Sequence, residues 1–273
     1  MWLLDTANAT LSFFEADQIP AYAILSHVWR DGEQSFQDVK ALHARAAQVG
    51  GLGDASIFPY LSAKIRKFCY FARSVGYKYV WIDTCCIDKS SSSELSEALN
   101  SMYSWYANAL MCYAFLDDVR GDEDPRAEES TFRRSRWFTR GWTLQELLAP
   151  RSVVFLSHQW QLIGSNLAFA DVIEAITGIE RGVLTHQQPL HDVSVARRMS
   201  WASRRTTTRI EDRAYSLMGI FNVYMPTVYG EGNRAFTRLQ EEILKQLQDQ
   251  SIFAWGMSTE TSSYSIYARS PQG

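Results

Sequence analysis

The sequence predicts an α/β domain built on a parallel sheet and followed by a helical extension. Short β-rich runs alternate with longer helical patterns over the first two thirds of the chain, as in layered folds with crossover helices. The β-rich runs are almost continuously apolar, which is typical of strands covered on both faces by helices. From about residue 165 only helical patterns follow. We therefore divide the chain into an α/β core over residues 1–164 and a helical extension over residues 165–273, packed together as one module.

Four strands and two helices form the predicted core. The strands are expected at residues 22–26, 79–83, 112–116 and 153–157. A first helix is predicted over residues 60–75, where apolar residues recur at helical spacing: Leu61, Ile65, Phe68 and Ala72. A second helix follows from the same spacing in Leu95, Leu99, Met102, Tyr106 and Leu110. Ser91 with Glu94 predicts a capping box at its start.

The charge pattern changes before the chain becomes helical. Residues 117–130 are acidic and lack an apolar period, which predicts an exposed loop. We expect this loop to pair with the basic residues that follow it: Arg133, Arg134, Arg136 and Arg140. In the extension, one helix is predicted to end at Gly178, and a last helix carries Phe236, Leu239, Ile243 and Leu247 on one face. The YGEGN stretch at 229–233 lacks the lysine and spacing of a phosphate loop and predicts a turn.

Composition excludes several functional classes. The chain has 273 residues, with 27 Lys plus Arg against 30 Asp plus Glu and a net charge of −3, so it lacks the basic footprint that nucleic acid binding needs. Arginines between residues 197 and 213 are expected on a solvated or internally paired helix face. The four cysteines lack metal-ligand spacing, which predicts reduced thiols and no metal site.

No targeting or membrane-spanning signal is visible. The first residues lack the basic start of a secretory signal, and no apolar run approaches the roughly 18 residues of a membrane span. We therefore expect a cytoplasmic protein that has neither a membrane nor nucleic acid as a partner.

Candidate functional residues follow the predicted strands, because ligands of such sheets bind at the carboxyl ends of the strands. Taken alone, each candidate also has an ordinary structural interpretation. Trp29 is more often a packing residue, Asp83 either caps a turn or contacts a ribose, and Glu146 is more often a surface carboxylate or the partner of an arginine. Cys85 with His27 would supply a nucleophile and a base, but no third orienting group is evident.

Five segments, in order and over nearly the whole chain, resemble the heterokaryon-incompatibility (HET) domain of filamentous fungi. They are YAILSHVWRDGEQSFQDV, YVWIDTCCIDKSSSSELSEALNSMYSWY, SRWFTRGWTLQELLAP, RRMSWASRRTTTRIEDRAYSLMGIF and YGEGNRAFTRLQEEI. HET domains are in turn similar to Toll/interleukin-1-receptor (TIR) domains, and Trp142 and Glu146 stand at the spacing of a TIR helix motif. Arg140 and Thr143 depart from that motif, which has Ser and Cys at these places. The resemblance implies a TIR-like, flavodoxin-like parallel sheet flanked by helices.

The same resemblance implies a function. It implies an effector of programmed cell death in fungal incompatibility and innate immunity. This effector would cleave NAD at the nicotinamide–ribose bond when oligomerised. NAD is then the substrate, no cofactor is expected, and the implied partners are further copies of the chain. Family members often carry nucleotide-binding and repeat domains downstream. The alternative that stays open is a non-catalytic TIR-like oligomerisation or signalling module that recruits another effector.

By this resemblance Glu146 is the catalytic residue. Cleavage of a glycosidic bond passes through an oxocarbenium-like state, which an ionised carboxylate beside the sugar stabilises. Nicotinamide leaves as a neutral ring, so no second acid is needed. Trp142 lies one helical turn before Glu146. Its indole would stack on a base or shield the carboxylate and raise its pKa.

The other implied substrate-binding residues are assigned by chemical type. Arg30 and Arg140 offer forked donors to the pyrophosphate, together with Arg136. Ser26 would bind ribose or phosphate oxygens. Trp29 and Asp83 complete the predicted substrate site, as a ring platform and a ribose contact.

Overall fold

The fold is centred on a seven-stranded mixed sheet. A computed structural model describes residues 1–49, 57–246, 249–253 and 271. The strands are β1 (Trp2–Asp5), β2 (Leu11–Phe13), β3 (Tyr22–His27), β4 (Tyr79–Ile82), β5 (Met111–Phe115), β6 (Val153–Leu156) and β7 (Leu162–Ser165). They lie in the order β2-β1-β4-β3-β5-β6-β7. The four predicted strands are confirmed as β3 to β6.

The prediction of a parallel sheet is correct at the centre and wrong at both edges. Strands β4, β3, β5 and β6 are mutually parallel, whereas β1, β2 and β7 pair antiparallel to their neighbours. β2 follows β1, and β7 follows β6, after connections too short for the crossover that a parallel pair requires. Each of these three antiparallel strands has only three or four residues. Such short strands show no recognisable alternating pattern in the sequence.

The strand order reverses between β3 and β5. From β3 the chain crosses to β4 on one side and later returns to place β5 on the other side. There Ser26 pairs with Ala114 and His27 pairs with Phe115. Such a reversal opens a crevice at the carboxyl ends of the strands, where doubly wound sheets bind ligands. Because β3 is buried along its whole length, the side chains at its end start deep in this crevice.

Helices cover the sheet and form the extension. Within the described ranges they are α1 (Phe36–Val49), α2 (Ala63–Ser74), α3 (Ser92–Asn108), α4 (Thr143–Leu148), α5 (Ala170–Thr177), α6 (Arg181–Leu184), α7 (Val195–Ala202), α8 (Asp212–Tyr215), α9 (Met218–Phe221) and α10 (Arg234–Gln246). α2 buries Ile65, Phe68 and Ala72 of the predicted apolar face, but it begins at Ala63, so Leu61 is buried ahead of the helix. No helix in these ranges is both long and apolar enough to cross a membrane.

Helix α3 begins as predicted and ends early. Ser91 caps it by accepting the backbone N–H of Glu94. The Glu94 carboxylate accepts the indole N–H of Trp2 at 3.3 Å, so the capping box is only half formed. The helix ends at Asn108, and Leu110 lies beyond it with 60% of its surface exposed. Leu110 is therefore not part of the helical apolar face.

The acidic stretch after β5 forms a loop that pairs with the basic stretch, as predicted. Asp118 lies 3.2 Å from Arg136, and Asp117 lies 3.3 Å from the same guanidinium. Glu129 pairs with Arg134 at 2.8 Å. These contacts hold the loop against the 3-10 turn Arg136–Thr139, which leads into α4.

The extension packs on the core through backbone contacts. The N–H of Thr206 donates to the carbonyl of Thr139 at 2.7 Å, and the N–H of Gly141 donates to the carbonyl of Thr206 at 2.8 Å. Because β7 ends at Ser165, the helices begin just after the predicted boundary. The division of the chain at residue 164 stays a prediction.

Two chain features in the extension agree with the sequence. Gly178 ends α5 in the left-handed conformation, with φ of 72°. The stretch 229–233 is a turn, whose Gly230 and Gly232 N–H groups donate to the Glu211 carboxylate at 2.9 and 3.0 Å. Helix α10 buries the predicted apolar residues up to Ile243, and Leu247 lies outside the described residues.

Candidate active site

Glu146 is buried beneath the crevice between β3 and β5. It lies on α4 with only 5% of its surface exposed. Ser26, at the end of β3, donates its hydroxyl hydrogen to the Glu146 carboxyl group. The indole N–H of Trp137 donates to the same serine oxygen at 2.7 Å. Strand β3, helix α4 and the 3-10 turn before it therefore fix one carboxyl group through a buried serine.

The surroundings of Glu146 favour its neutral form. Burial, and secondly the negative charge of Asp83, raise the pKa of Glu146 to about 8. Hydrogen bonds from Ser26 and Tyr106 and the positive charge of Arg205 oppose this shift without cancelling it. At neutral pH Glu146 is therefore mostly protonated, because its pKa lies above the ambient pH.

Asp83 follows β4 and lies in the opposite electrostatic situation. Its carboxylate accepts a hydrogen bond from the Trp29 indole N–H at 2.6 Å and lies 2.9 Å from Nε2 of His27. The Lys64 ammonium donates to Nδ1 of His27 at 2.9 Å, which leaves the Nε2 hydrogen to donate to Asp83. Burial pushes the pKa of Asp83 up, but His27, Lys89 and Trp29 outweigh it, so the pKa is lowered.

A cavity of about 290 Å3 brings most of the predicted site residues together. Trp29, Asp83, Arg140, Trp142 and Glu146 all line it. Their roles toward a substrate stay predictions, but their proximity is now an observation. One wall is apolar and comes from Ile87 and from α3 through Leu95, Leu99 and Met102.

Two predicted residues lie elsewhere. Ser26 is not among the cavity-lining residues and reaches the site through Glu146. Arg30 does not line the cavity within the described ranges and forms a hydrogen-bonded ion pair with Asp117. Arg136 also pairs with Asp117 and with Asp118. A pyrophosphate contact from Arg30 therefore requires this ion pair to open.

The extension contributes residues that the sequence did not single out. Thr208, Arg209, Asp212 and Tyr229 line the cavity opposite the strand ends. Burial raises the pKa of Asp212, although hydrogen bonds from Trp142 and Tyr229 oppose the shift. The Tyr229 hydroxyl donates to Asp212 at 2.9 Å. The signal available in the sequence was the resembling segment that contains these residues, not their individual chemistry.

The cysteine nucleophile that the sequence left open is not supported by the geometry. Cys85 is fully buried, and its hydrogen bond with Cys86 and its burial raise its pKa well above the ordinary value. His27 is engaged by Asp83 and Lys64. A thiolate is the reactive form of cysteine, so this thiol is unsuited to attack. In the described part of the chain, no group of three or more His, Cys, Asp or Glu side chains is placed to hold a metal ion.

The fold and the cavity define an α/β domain with a buried carboxyl group at the switch point of its sheet. Residues 22–131 match the model of the family described as Heterokaryon incompatibility protein (HET), and residues 234–271 match a domain of unknown function, DUF8212. The chain therefore carries a domain of the HET family, as its motifs predict. Glu146 lies beyond the segment that this family model matches.

A longer relative extends the comparison. The chain is 46% identical over 235 residues to Vegetative incompatibility protein HET-E-1 of Podospora anserina. The alignment covers 84% of this chain, and the chain spans 16% of the length of that relative. No solved structure matches the chain significantly.

Proposed function

We propose that this chain is a cytoplasmic effector domain of fungal incompatibility and that it cleaves NAD at the nicotinamide–ribose bond when oligomerised. The observation that carries the proposal is the buried Glu146 beside an open cavity. The order of the four parallel strands, β4-β3-β5-β6, also agrees with the start of the flavodoxin-like order. This agreement supports the TIR-like part of the proposal.

The raised pKa of Glu146 suits a cationic substrate. The nicotinamide ring of NAD carries a positive charge, and a nearby positive charge favours the ionised form of a carboxyl group. Substrate binding would thus release the proton of Glu146 and place a carboxylate beside the ribose. Water is excluded from this buried position, so the attraction between carboxylate and cation is stronger there than in bulk solvent.

The proposed reaction transfers charge from the ring to the sugar. The bond between the nicotinamide nitrogen and the anomeric carbon breaks, and its electron pair stays on the ring, which leaves neutral. The ribosyl centre becomes positive, and the Glu146 carboxylate stabilises it. Water then adds to the anomeric carbon and gives its proton to the carboxylate. The products are nicotinamide, ADP-ribose and a released proton.

Asp83 supplies a second negative charge at the cavity. Its lowered pKa keeps it ionised while Glu146 is protonated. Two carboxyl groups with pKa values displaced in opposite directions are typical of acid–base sites. In this proposal Asp83 contacts the ribose and stabilises its positive charge, while His27 and Trp29 hold its orientation.

In this proposal the size of the cavity explains why the chain must oligomerise to cleave NAD. Its volume of about 290 Å3 is at the lower end of ligand sites, which suits the nicotinamide riboside half of NAD. Trp29, at the cavity wall, is 48% exposed, and the Lys89 ammonium lies 3.9 Å above its ring. A neighbouring copy that covers this edge would complete the site for the rest of the dinucleotide.

One observation favours the alternative of a non-catalytic signalling module. The Glu146 carboxyl group is nearly inaccessible and is engaged by Ser26, as expected of a structural buried acid. In that case the domain would oligomerise and recruit another effector. The two functions differ in whether the Glu146 carboxyl group must ionise.

The test is the Glu146→Gln substitution in an artificially multimerised chain. Glutamine keeps the shape and the acceptor for Ser26 but cannot ionise. We expect nicotinamide release from NAD to fall about 1,000-fold, in the range found when one transition-state charge contact is removed. The matched control is Glu174→Gln, an exposed glutamate on α5, which should keep full activity.

Cell death is measured in parallel with NAD loss. Loss of both in a folded, oligomeric Glu146→Gln chain supports the enzyme. Retained toxicity without NAD consumption contradicts it and supports the signalling module. Identification of the released nucleotide distinguishes ADP-ribose from a cyclised product.

A further inference from the structure

A second cavity, separate from the one beside Glu146, is lined by arginines. It has a volume of about 440 Å3 and lies between the 3-10 turn Arg136–Thr139, the end of α5 and helix α7. We call it the arginine groove. Its arginines are Arg133, Arg134, Arg197, Arg204 and Arg205, and no acidic residue in the described part of the chain lines it.

Only two of these five cations are neutralised. Arg134 pairs with Glu129 at 2.8 Å, and Arg197 pairs with Glu180 at 2.5 Å. The other three, Arg133, Arg204 and Arg205, have no carboxylate within ion-pair distance among the described residues. The groove therefore concentrates uncompensated positive charge on a chain whose net charge is −3.

Buried N–H groups of the groove are also unpaired. Nε of Arg133, Nη2 of Arg205 and the indole nitrogen of Trp201 are buried without a hydrogen-bond partner in the described ranges. Arg205 and Trp201 are only 8% and 3% exposed. Buried donors are almost always satisfied in proteins, so unpaired ones call for an acceptor. Here three of them come from residues that line one groove.

Phosphate chemistry meets both requirements. A single carboxylate brings one charge, whereas linked phosphates bring several charges and many acceptor oxygens, which arginine forks bind in a bidentate way. We propose that the arginine groove binds a small molecule with two or more linked phosphate groups. This inference does not depend on NAD cleavage, because the groove and the cavity beside Glu146 share no lining residue.

Arg205 gives the groove a connection to the proposed catalytic site. Its Nη1 donates to the Thr143 hydroxyl and to the Arg140 carbonyl, both at 2.9 Å. Thr143 and Arg140 line the cavity beside Glu146. A phosphate held by the free Nη2 would therefore fix the same guanidinium that positions the start of α4.

The test uses inorganic triphosphate as the probe, titrated into the full chain by calorimetry. We expect saturable binding that weakens with salt and that falls at least about tenfold in Arg204→Glu, because one attractive contact becomes repulsive. Arg204 is exposed, so this change leaves the core intact. Arg73→Glu, at an exposed position on α2, is the matched control and should bind as the unmodified chain does.

Each outcome of the titrations either supports or overturns the proposal. Triphosphate binding that Arg204→Glu loses, and that Arg73→Glu and Glu146→Gln keep, supports the proposal. Absence of saturable binding, or equal binding by Arg204→Glu and Arg73→Glu, overturns it. A parallel titration with ATP then shows whether a nucleotide supplies the linked phosphates.

Discussion

The cavity beside Glu146 and the arginine groove satisfy their polar groups in opposite ways. In the cavity, Ser26 donates to the Glu146 carboxyl group, and His27 and Trp29 donate to the Asp83 carboxylate. In the groove, buried N–H groups stay without partners among the described residues. The comparison teaches that the first region fixes its carboxyl groups through donors of the chain itself, whereas the second leaves buried donors that lack an acceptor in the described part of the chain.

Both regions carry an electrostatic free-energy cost in the folded chain, but the charge responsible differs. The cavity holds a glutamate whose pKa is raised to about 8, so the folded chain opposes the charge that the proposed reaction needs. The groove keeps guanidinium groups charged and uncompensated. Each region thus carries a local electrostatic penalty that a ligand of the opposite sign removes.

Among substitutions other than Glu146→Gln, the largest effect on activity is expected for Asp83→Asn. The substitution removes the second negative charge at the cavity while the amide oxygen can still accept from Trp29. We expect nicotinamide release to fall about 100-fold, the lower range for one electrostatic contact in a transition state. The apparent pKa of the remaining activity should move below 8, because Asp83 raises the pKa of Glu146. Activity measured against pH gives both quantities.

Asp17→Asn serves as the control for this prediction. Asp17 is exposed and does not line the cavity, so its substitution should leave the rate and the pH profile unchanged. An Asp83→Asn chain with the full rate would show that the charge of Asp83 is unimportant and that the cavity contains one working carboxyl group.

A smaller effect is expected on stability, and it has the opposite sign. The pKa of Glu146 is about 8 in the folded chain, against an ordinary value of 4.5 for a glutamate. Folding therefore favours the protonated form, and stability is lost as the pH rises from about 4.5 toward 8. Glu146→Gln removes this loss and should stabilise the chain by about 3 kcal/mol at pH 7.

Urea unfolding at two pH values checks the stability prediction. The gain should be small at pH 4.5, where the carboxyl group is protonated in the folded chain and half protonated in the unfolded chain. An equal gain at both pH values, or a loss at pH 7, would contradict the proposed electrostatics of Glu146. A stabilised but inactive variant would show that the cavity trades stability for activity.

The smallest effect is expected for Arg30→Ala. Its ion pair with Asp117 is partly exposed, with 46% of the arginine side chain accessible, and such pairs contribute at most about 1 kcal/mol. We expect nicotinamide release to stay within about threefold and KM for NAD to change little. A tenfold rise in KM would place Arg30 at the pyrophosphate after all, as its position in the motif predicts. Arg140→Ala, which alters a cavity-lining residue, gives the comparison.

The sequence predicted the parallel centre of the sheet and the residues at its carboxyl edge. Glu146, Asp83, Trp29, Arg140 and Trp142 meet in one cavity because parallel strands end at a common edge. The short edge strands could not be predicted, since three or four residues carry too little pattern. Local sequence patterns predict the topology only where the strands and helices are long and apolar.

Contacts between distant parts of the chain were not predictable. Arg209, Asp212 and Tyr229 complete the cavity from the extension, and no spacing rule connects them to the strand ends. The arginines near residue 200 were expected on a solvated or paired face, yet Arg198 and Arg205 are buried, at 5% and 8% exposure. Arg198 donates to the Ile220 carbonyl at 3.0 Å, a partner that only the folded chain brings near.

The pH dependence of nicotinamide release by the multimerised chain tests the role of Glu146 most directly. If the ionised carboxylate of Glu146 is required, kcat/KM should rise about tenfold per pH unit below 8 and level off above it, since this parameter reports the free enzyme. The midpoint should coincide with the pKa of about 8 that burial gives Glu146. A rate that is flat or falls between pH 6 and 8 would contradict Glu146 as the catalytic carboxylate.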